Sequence, residues 1–220
     1  MINLIFDFDS TIITSETIEL LTDIAVNKKD LPLVKSKIES ITNNAMNGDI
    51  SFRDALKNRL SILNLHRKHI DKMKNEIKDY LSKSVDRNRD FFKKNKENIF
   101  IVSGGFTSII LEISRELNIP DNQVFGNSIL FKDERVVGFD TSNPLCQSGG
   151  KSLLVESLNL SSPSMVVGDG FTDYEVKRDG QANYFVAYTE NIYRKKVVKL
   201  ADFQASSMDQ LLTIINQTKE

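Results

Sequence analysis

Four short, unbroken apolar runs most constrain what this chain can fold into. They are INLIF at 2–6, IFIV at 99–102, MVV at 165–167 and YFVAY at 184–188. Continuous apolar runs of this length are typical of strands that are buried on both faces, as in a parallel sheet. Helical patterns lie between the last three runs, for example at 107–118 and 151–160. This alternation predicts an α/β fold with a doubly wound, mostly parallel sheet.

Residues 15–81 break the alternation, because they carry helical patterns only. The predicted helices are TIELLTDIAV, LPLVKSKIESITNNAM, SFRDALKNRLSIL and HIDKMKNEIKDYL. Four amphipathic helices of this length can pack as a small bundle. We therefore predict a helical domain at 15–81, inserted after the first strand, with 1–14 and 82–220 forming the α/β core. Two extended pieces around KDE at 132–134 predict a β-hairpin beside the sheet.

Polar motifs follow the predicted core strands or begin the helices of the core. They are DFDST at 7–11, SGG at 103–105, GGK at 149–151 and GDGFTD at 168–173. In open parallel sheets, ligands bind beyond the carboxyl ends of the strands. We therefore expect the four motifs to converge on one site, although they are far apart in the chain.

The acidic residues of these motifs predict a metal site. Asp7, Asp9 and Asp169 would place two or three carboxylates close together, which is unfavourable unless a cation balances them. Hard oxygen ligands of this kind favour Mg²⁺. The repulsion between the two acids at the end of the first strand is then relieved by the metal and by a difference in protonation.

The other motif residues suit a phosphoryl group. Lys151, the Ser103 hydroxyl and the backbone N–H groups around Gly104 supply donors for an anion. Asp7, directly after the strand, can act as a nucleophile that forms an acyl phosphate. Asp9 projects to the same side, so it can protonate the leaving alcohol and later take a proton from water. That role predicts a raised pKa for Asp9.

In this order, DFDST, SGG, the isolated lysine and GDGFTD resemble the motifs of the haloacid dehalogenase superfamily of aspartyl-phosphate phosphatases, over nearly the whole chain. The resemblance implies that the helical insertion is a cap over the site. It also implies that Asp7, the main-chain carbonyl of Asp9 and Asp169 hold Mg²⁺. Asp173 would support the metal or position Lys151, and the alternative is a plain acid at the start of a helix.

Within the superfamily, the chain is most similar to the phosphoserine phosphatase family, which carries out the last step of serine biosynthesis. The segment DFDSTIITSETIELL resembles that family's first motif, whose substrate-binding glutamate falls on Glu16. The segment AMNGDISFRDALKNRLSIL resembles its cap segment, whose arginine falls on Arg59 and whose apolar contacts fall on Met46 and Phe52. The family usually has asparagine where this chain has Thr172, which leaves its contact with the serine moiety open.

The residues of the insertion support part of this resemblance. Arg59 shares a helical face with apolar residues, and a guanidinium placed there needs an anionic partner such as the α-carboxylate of phosphoserine. Glu16 would then bind the α-ammonium group. Two alternatives stay open: Glu16 complements a helix dipole, and Arg59 pairs with Asp54 or Glu39.

Composition limits the other classes of function. The formal net charge is −1 and no basic stripe is present, so neither nucleic acid nor an anionic membrane surface is an expected partner. The single cysteine, Cys146, excludes an intramolecular disulfide. His66 and His69 are predicted to be surface residues of a cap helix. Without a leader or a long apolar run, we expect a cytoplasmic protein, either a monomer or a homodimer.

Two functional alternatives remain at this stage. The same chemistry could act on another small phosphomonoester or transfer the phosphoryl group to an alcohol such as homoserine. A site of this kind could also bind a phosphorylated ligand without turnover, although Asp7, Asp9, Lys151 and Asp169 are all present.

Overall fold

The computed structural model describes residues 2–47, 49–161 and 163–218, without the side chains at positions 43, 46 and 47. The strands are β1 (Asn3–Phe6), β2 (Ile99–Phe106), β3 (Val124–Asn127), β4 (Ile129–Lys132), β5 (Arg135–Phe139), β6 (Ser164–Gly168), β7 (Tyr184–Tyr188) and β8 (Phe203–Ala205). The helices are α1 (Thr17–Ala25), α2 (Leu31–Asn47), α3 (Phe52–Leu63), α4 (Arg67–Glu76), α5 (Lys83–Arg87), α6 (Arg89–Asn95), α7 (Thr107–Glu116), α8 (Gly150–Ser157), α9 (Phe171–Arg178), α10 (Lys195–Val198) and α11 (Met208–Gln217).

Six strands form one sheet in the order β3-β2-β1-β6-β7-β8, and all neighbouring pairs are parallel. The central strand β1 places Leu4 beside Ile99 of β2 and beside Met165 of β6. The predicted doubly wound α/β core is confirmed. The extended piece predicted before KDE divides into β3, which joins one edge of this sheet, and β4 of the hairpin, so its assignment wholly to the hairpin is wrong. The other edge strand, β8, has only three residues and was not predicted.

The sheet is buried on both faces. Leu4 and Phe6 of β1 belong to the larger apolar core, which the helices α7 and α11 complete. Ile5 points to the opposite face, into a second core that includes Val155 of α8 and Val176 of α9. Because side chains alternate between the two faces of a strand, burial of both faces requires the unbroken apolar runs seen in the sequence.

The helical insertion leaves and rejoins the core at neighbouring points. The Thr14 amide donates to the Tyr80 carbonyl at 2.8 Å, and the Ser82 amide donates to the Ile12 carbonyl at 3.0 Å. Between these bonds, Ile13 and Leu81 form an antiparallel bridge. We call residues 10–14 and 80–82 the two linkers. The predicted helices of the insertion are present, and α1 packs against α2, α3 and α4.

The predicted hairpin is also present, as β4 and β5. It pairs with the helical insertion: the Val136 amide donates to the Leu65 carbonyl at 2.9 Å, and the Arg67 amide donates to the Glu134 carbonyl at 2.8 Å. The Arg67 guanidinium lies 4.0 Å from the centroid of the Phe131 ring. The hairpin therefore holds the insertion at a point remote from the linkers.

Two smaller sequence predictions have structural outcomes. His66 and His69 lie partly exposed at the start of α4, where the His66 amide donates to His69 Nδ1 at 3.1 Å. This bond satisfies an amide at the helix start, which is a capping role. Among the described helices, none combines the length and the apolar character that crossing a membrane requires.

The start of α3 gives a test of local stability. Ser51 Oγ accepts a hydrogen bond from the Asp54 amide at 3.0 Å. We expect Ser51→Ala to lower the free energy of unfolding by about 1 kcal/mol, because it leaves an amide of the first turn without its partner. Ser61→Ala, at an exposed position of the same helix, is the control and should not destabilise the protein. Urea unfolding measures both; equal losses would contradict the capping role.

Candidate active site

The carboxyl ends of two neighbouring strands bring three acids together. Asp7 follows β1, Asp169 follows β6, and Asp173 lies in the first turn of α9. One carboxylate oxygen of each residue lies within 4.8 Å of the others. Since β1 and β6 are hydrogen-bonded neighbours, the convergence predicted for the first and last motifs follows from the strand order.

Lys151 lies between two of these acids. Its Nζ is 2.8 Å from Asp7 Oδ1 and 2.6 Å from Asp173 Oδ1. Burial lowers the pKa of Lys151, but the adjacent Asp173 and Asp7 outweigh burial and raise that pKa above its ordinary value. The side chain is therefore an ammonium ion at neutral pH, and it fixes the Asp7 carboxylate, whose Oδ1 also accepts the Phe8 amide at 2.7 Å.

The glycines of GDGFTD allow Asp173 to approach the sheet. Asp173 Oδ2 accepts the Gly170 amide at 3.0 Å, while Oδ1 faces Lys151. A Cβ atom at Gly168 would lie 2.3 Å from Asp173 Cγ, which is far inside van der Waals contact. Both carboxylate oxygens of Asp173 are thus engaged, and their geometry favours positioning of Lys151 over direct binding of a metal.

Asp9 is partly buried and lies near Asp7. Its Oδ1 accepts hydrogen bonds from the amide of Thr17, at 3.1 Å, and from the Thr17 hydroxyl. Burial raises the pKa of Asp9 well above its ordinary value, and the nearby carboxylates of Glu16 and Asp7 raise it further. The direction predicted from the sequence is therefore found, and a protonated Asp9 can donate a proton.

The SGG motif forms the last part of β2, next to Asp9 and to the helical insertion. Ser103 is buried, and its Oγ accepts the Gly105 amide at 3.0 Å. A Cβ atom at Gly105 would lie 3.4 Å from Asp9 Oδ2, and one at Gly104 would lie 2.8 Å from the Phe52 ring. The absence of a side chain at Gly104 therefore lets Phe52 approach the strand closely.

Glu16 lies close to the carboxylate cluster. Its Oε1 accepts the Ser10 hydroxyl at 2.9 Å and lies 3.9 Å from a guanidinium nitrogen of Arg194. Burial raises the pKa of Glu16 to about 7, with a further contribution from Asp169. The proximity of Glu16 to Asp169 brings the start of the insertion to the same site as the core motifs.

Arg59 of α3 faces this group of acids. Burial lowers the pKa of Arg59, while the carboxylates of Glu16 and Asp9 act in the opposite direction. Asp54, one of the alternative partners, instead interacts with Ser51 at the start of the helix. The guanidinium donates through Nε to the Ala55 carbonyl at 3.3 Å, within its own helix. Arg59 is thus a partly buried cation near Glu16 and Asp9.

The substrate prediction includes two further residues, Thr172 and Met46. Thr172 lies exposed in the first turn of α9, and no hydrogen bond of its side chain to the acids is found among the described residues. The side chain of Met46 lies outside the described part of the chain. A role for either residue in binding substrate stays a prediction.

Sequence reasoning missed two residues that hold the site. Arg194 donates through Nε to Asp169 Oδ2 at 2.9 Å, and Asn127 donates through Nδ2 to the Gly104 carbonyl at 2.8 Å. Arg194 stands beside two lysines, in a stretch that looks like any solvated basic run. Asn127 closes β3, so recognising that edge strand would have placed a polar side chain at the site edge of the sheet.

The summed charge of the site fits a divalent cation. Its ionisable groups are the carboxyls of Asp7, Asp9, Glu16, Asp169 and Asp173 and the cations Lys151, Arg59 and Arg194. With all of them ionised, two negative charges remain unbalanced. Closely spaced carboxylate oxygens are hard ligands, so both the donor type and the missing charge suit Mg²⁺.

Comparison with known proteins points to one family. The model of the haloacid dehalogenase-like hydrolases matches residues 4–177. The phosphoserine phosphatase of Drosophila melanogaster is 32% identical over 213 residues, which cover 94% of this chain and 75% of the relative. The phosphoserine phosphatase of Homo sapiens is 29% identical over 211 residues, which cover 94% and 90% of the two chains.

A solved structure extends the similarity to the whole fold. A phosphoserine phosphohydrolase-like protein from Francisella tularensis superposes with a TM-score of 0.86 at 33% identity. The superposition covers 98% of this chain and 100% of that chain. The similarity therefore includes both the sheet and the helical insertion.

The raised pKa of Glu16 predicts a pH-dependent stability. Its pKa is about 7 in the folded protein and 4.5 ordinarily, so the folded state holds the proton more tightly. The contribution of this residue to the free energy of unfolding is therefore fully present below about pH 4.5 and is lost as the pH rises through 7. As the pH rises from 5 to 8, we expect the free energy of unfolding to fall less in Glu16→Gln than in the wild type.

The measurement is urea unfolding at both pH values in metal-free buffer. Glu19→Gln, an exposed carboxylate in the same helix, is the matched control and should follow the wild type. An unchanged pH dependence in Glu16→Gln would contradict the assigned environment of Glu16.

Proposed function

Because the chain belongs to the haloacid dehalogenase-like hydrolase family, we propose that it is a Mg²⁺-dependent phosphomonoesterase that hydrolyses O-phosphoserine to serine and inorganic phosphate. One observation carries the proposal: the Asp7–Lys151–Asp173 ion-pair group of the core lies close to Glu16 and Arg59 of the insertion. The first group suits a phosphoryl substrate, and the second suits an amino acid. Relatives named phosphoserine phosphatase support the same substrate.

Asp7, Asp169 and the main-chain carbonyl of Asp9 would hold the metal ion. Asp173 would instead act through Lys151, since its two oxygens already face the Lys151 ammonium and the Gly170 amide. When bound, Mg²⁺ supplies positive charge next to the oxygens of the transferring phosphoryl group. With Asp9 protonated and the other groups ionised, the site still carries one unbalanced negative charge, which is consistent with this assignment.

In the first chemical step, an oxygen of Asp7 attacks phosphorus and the bond from phosphorus to the serine oxygen breaks. The proton of Asp9 passes to that oxygen, so serine leaves as a neutral alcohol. In the second step, Asp9 takes a proton from water, whose oxygen attacks the phosphorus of the aspartyl phosphate. The bond to Asp7 then breaks, which releases inorganic phosphate and restores protonated Asp9.

The donors of the core would hold the phosphoryl oxygens during both steps. Lys151 is a buried ammonium, Ser103 is a buried hydroxyl, and the Gly104 amide lies at the end of β2, next to the Phe52 ring. Donors that are already fixed in place stabilise the charge of a transition state without reorganising. Their fixed placement favours binding of a phosphoryl group here.

We further propose that residues 15–81 form a cap domain that recognises the serine moiety. Arg59 would bind the α-carboxylate through its guanidinium, Glu16 would bind the α-ammonium, and Met46 and Phe52 would supply apolar contact. Arg59 lies near Glu16 and Asp9 while its only described hydrogen bond is to its own helix. A partly buried guanidinium in that position is suited to bind an anionic partner.

A substrate screen tests the proposal. Phosphate release would be measured from phosphoserine and from a panel of other phosphomonoesters, with Mg²⁺ and with EDTA. We expect phosphoserine to be preferred and EDTA to abolish turnover. No preference over p-nitrophenyl phosphate would overturn the substrate assignment, and loss of phosphate release in favour of transfer to added homoserine would establish the phosphotransferase alternative.

Replacement of the nucleophile tests the chemistry. Asp7→Asn keeps the shape of the side chain but removes the nucleophilic carboxylate, so we expect turnover to fall at least about 1,000-fold. Thermal unfolding shows whether the fold survives. A folded Asp7→Asn variant that retains turnover would overturn the aspartyl-phosphate mechanism.

Arg59 tests recognition by the insertion. We expect Arg59→Met to raise KM for phosphoserine about 30-fold, because a charge-assisted pair contributes about 2 kcal/mol. Turnover of p-nitrophenyl phosphate, which has no α-carboxylate, should change little. Lys57→Met removes an exposed cation from the same helix and is the matched control. Equal effects of Arg59→Met on the two substrates would contradict the role of Arg59.

A further inference from the structure

One side-chain amide connects both linkers of the insertion to the core. Asn191 lies in the loop of residues 189–194 between β7 and α10. Its Nδ2 is 2.7 Å from Ser82 Oγ, 3.1 Å from the Ser10 carbonyl, 3.2 Å from the Ile13 carbonyl and 3.4 Å from the Thr11 carbonyl. The outgoing and returning linkers therefore share one donor group.

The chemistry of these neighbours fixes which group can stand there. The three carbonyl oxygens only accept hydrogen bonds. The Ser82 hydroxyl donates to the Thr11 carbonyl at 3.1 Å, so its oxygen accepts the bond from Asn191. Only a group with two N–H hydrogens and no negative charge satisfies this arrangement. Because Ser82 is fully buried, water does not readily replace the amide.

The bond to Ser10 acts on a residue that holds Glu16. Ser10 has a φ of 54°, a left-handed conformation that serine seldom adopts. Its hydroxyl donates to Glu16 Oε1 at 2.9 Å. By holding the Ser10 carbonyl, Asn191 stabilises the turn that sets the position of Glu16 relative to Asp9.

The same loop contacts the core on both sides of Asn191. Glu190 accepts the Ser84 amide at 2.9 Å, at the start of α5 where the chain returns from the insertion. Arg194 donates to Asp169 at 2.9 Å. The loop therefore contacts the returning chain, the two linkers and one acid of the carboxylate cluster.

We propose that Asn191 is a positioning residue that sets how the helical insertion sits over the carboxylate cluster. It does so by holding the two linkers in one arrangement, which aligns Glu16 and Arg59 with the groups that bind the phosphoryl moiety. The kinetic part of this inference rests on the proposed function, whereas the structural part does not.

Two substitutions separate hydrogen bonding from packing. Asn191→Ala removes the amide, and Asn191→Asp keeps its size but sets a carboxylate against three carbonyl oxygens. We expect Asn191→Asp to have the larger effect, because it replaces attraction by repulsion. Gln204→Ala is the control. Gln204 of β8 donates to Oγ1 of Thr189, a residue of the same loop as Asn191, at 3.2 Å, and no bond from Gln204 to either linker is found among the described residues.

Amide hydrogen exchange followed by mass spectrometry measures how well the amides of the two linkers are protected. The Thr14 amide of the first linker donates a hydrogen bond to the second linker, and the Ser82 amide of the second linker donates one to the first. We expect their exchange to become at least tenfold faster in Asn191→Ala and faster still in Asn191→Asp, while β6 exchanges as in the wild type. Wild-type exchange at both amides in Asn191→Ala would overturn the proposal, even if Asn191→Asp failed to fold.

Kinetics then test the alignment of the insertion. Asn191→Ala should lower kcat/KM for phosphoserine about tenfold and leave that for p-nitrophenyl phosphate within about twofold, since the second substrate makes no use of Glu16 or Arg59. Equal losses for both substrates would assign Asn191 a general structural role and overturn the positioning role. If the wild type shows no preference for phosphoserine, the proposed function fails, and the exchange result still decides whether Asn191 holds the linkers.

Discussion

A buried ammonium ion shared by two carboxylates is the interaction on which the rest of this site depends. Lys151 joins Asp7, at the end of β1, to Asp173, in the first turn of α9. Burying charge is costly, and a partner left alone by the loss of its counter-charge is strongly destabilising. The ion pairs therefore constrain three segments together: the end of the central strand β1, the start of α8 and the first turn of α9. Gly168 permits this contact, because any side chain there would meet Asp173.

The fold supplies the remaining geometry through its strand order. The chain places β1 between β2 and β6, so that the polar groups after all three strands reach the same edge of the sheet. The acids that follow β1 and β6 form a region suited to cations. The Ser103 hydroxyl and the glycine backbone at the end of β2 form an adjacent region suited to anions. The helical insertion leaves the core directly after β1, and this brings Glu16 and Arg59 to the site. The proposed chemistry and the proposed recognition of the substrate would thus both depend on residues that follow β1.

Much of this arrangement could be predicted from the sequence, because it follows from periodicity and from motifs at strand ends. The unbroken runs located β1, β2, β6 and β7, and the acids after β1 and β6 indicated a shared cation. β8 has only three residues, and the apolar residues of β3 are followed closely by those of β4, so the sequence did not separate these edge strands. Asn191 and Arg194 lie in ordinary polar stretches, whereas Asn127 ends the unrecognised strand β3; each gains its role from the tertiary contacts of its side chain.

The pairing of the β4–β5 hairpin with the segment before α4 limits how the active site can admit its ligand. The backbone bonds from Val136 to Leu65 and from Arg67 to Glu134 join the hairpin to the insertion, and the linkers form a separate attachment. The insertion is therefore attached to the rest of the fold at two separate places. Any movement of the insertion that keeps the hairpin bonds must carry β4 and β5 along with it. Where ligand entry involves such a movement, the hairpin moves too.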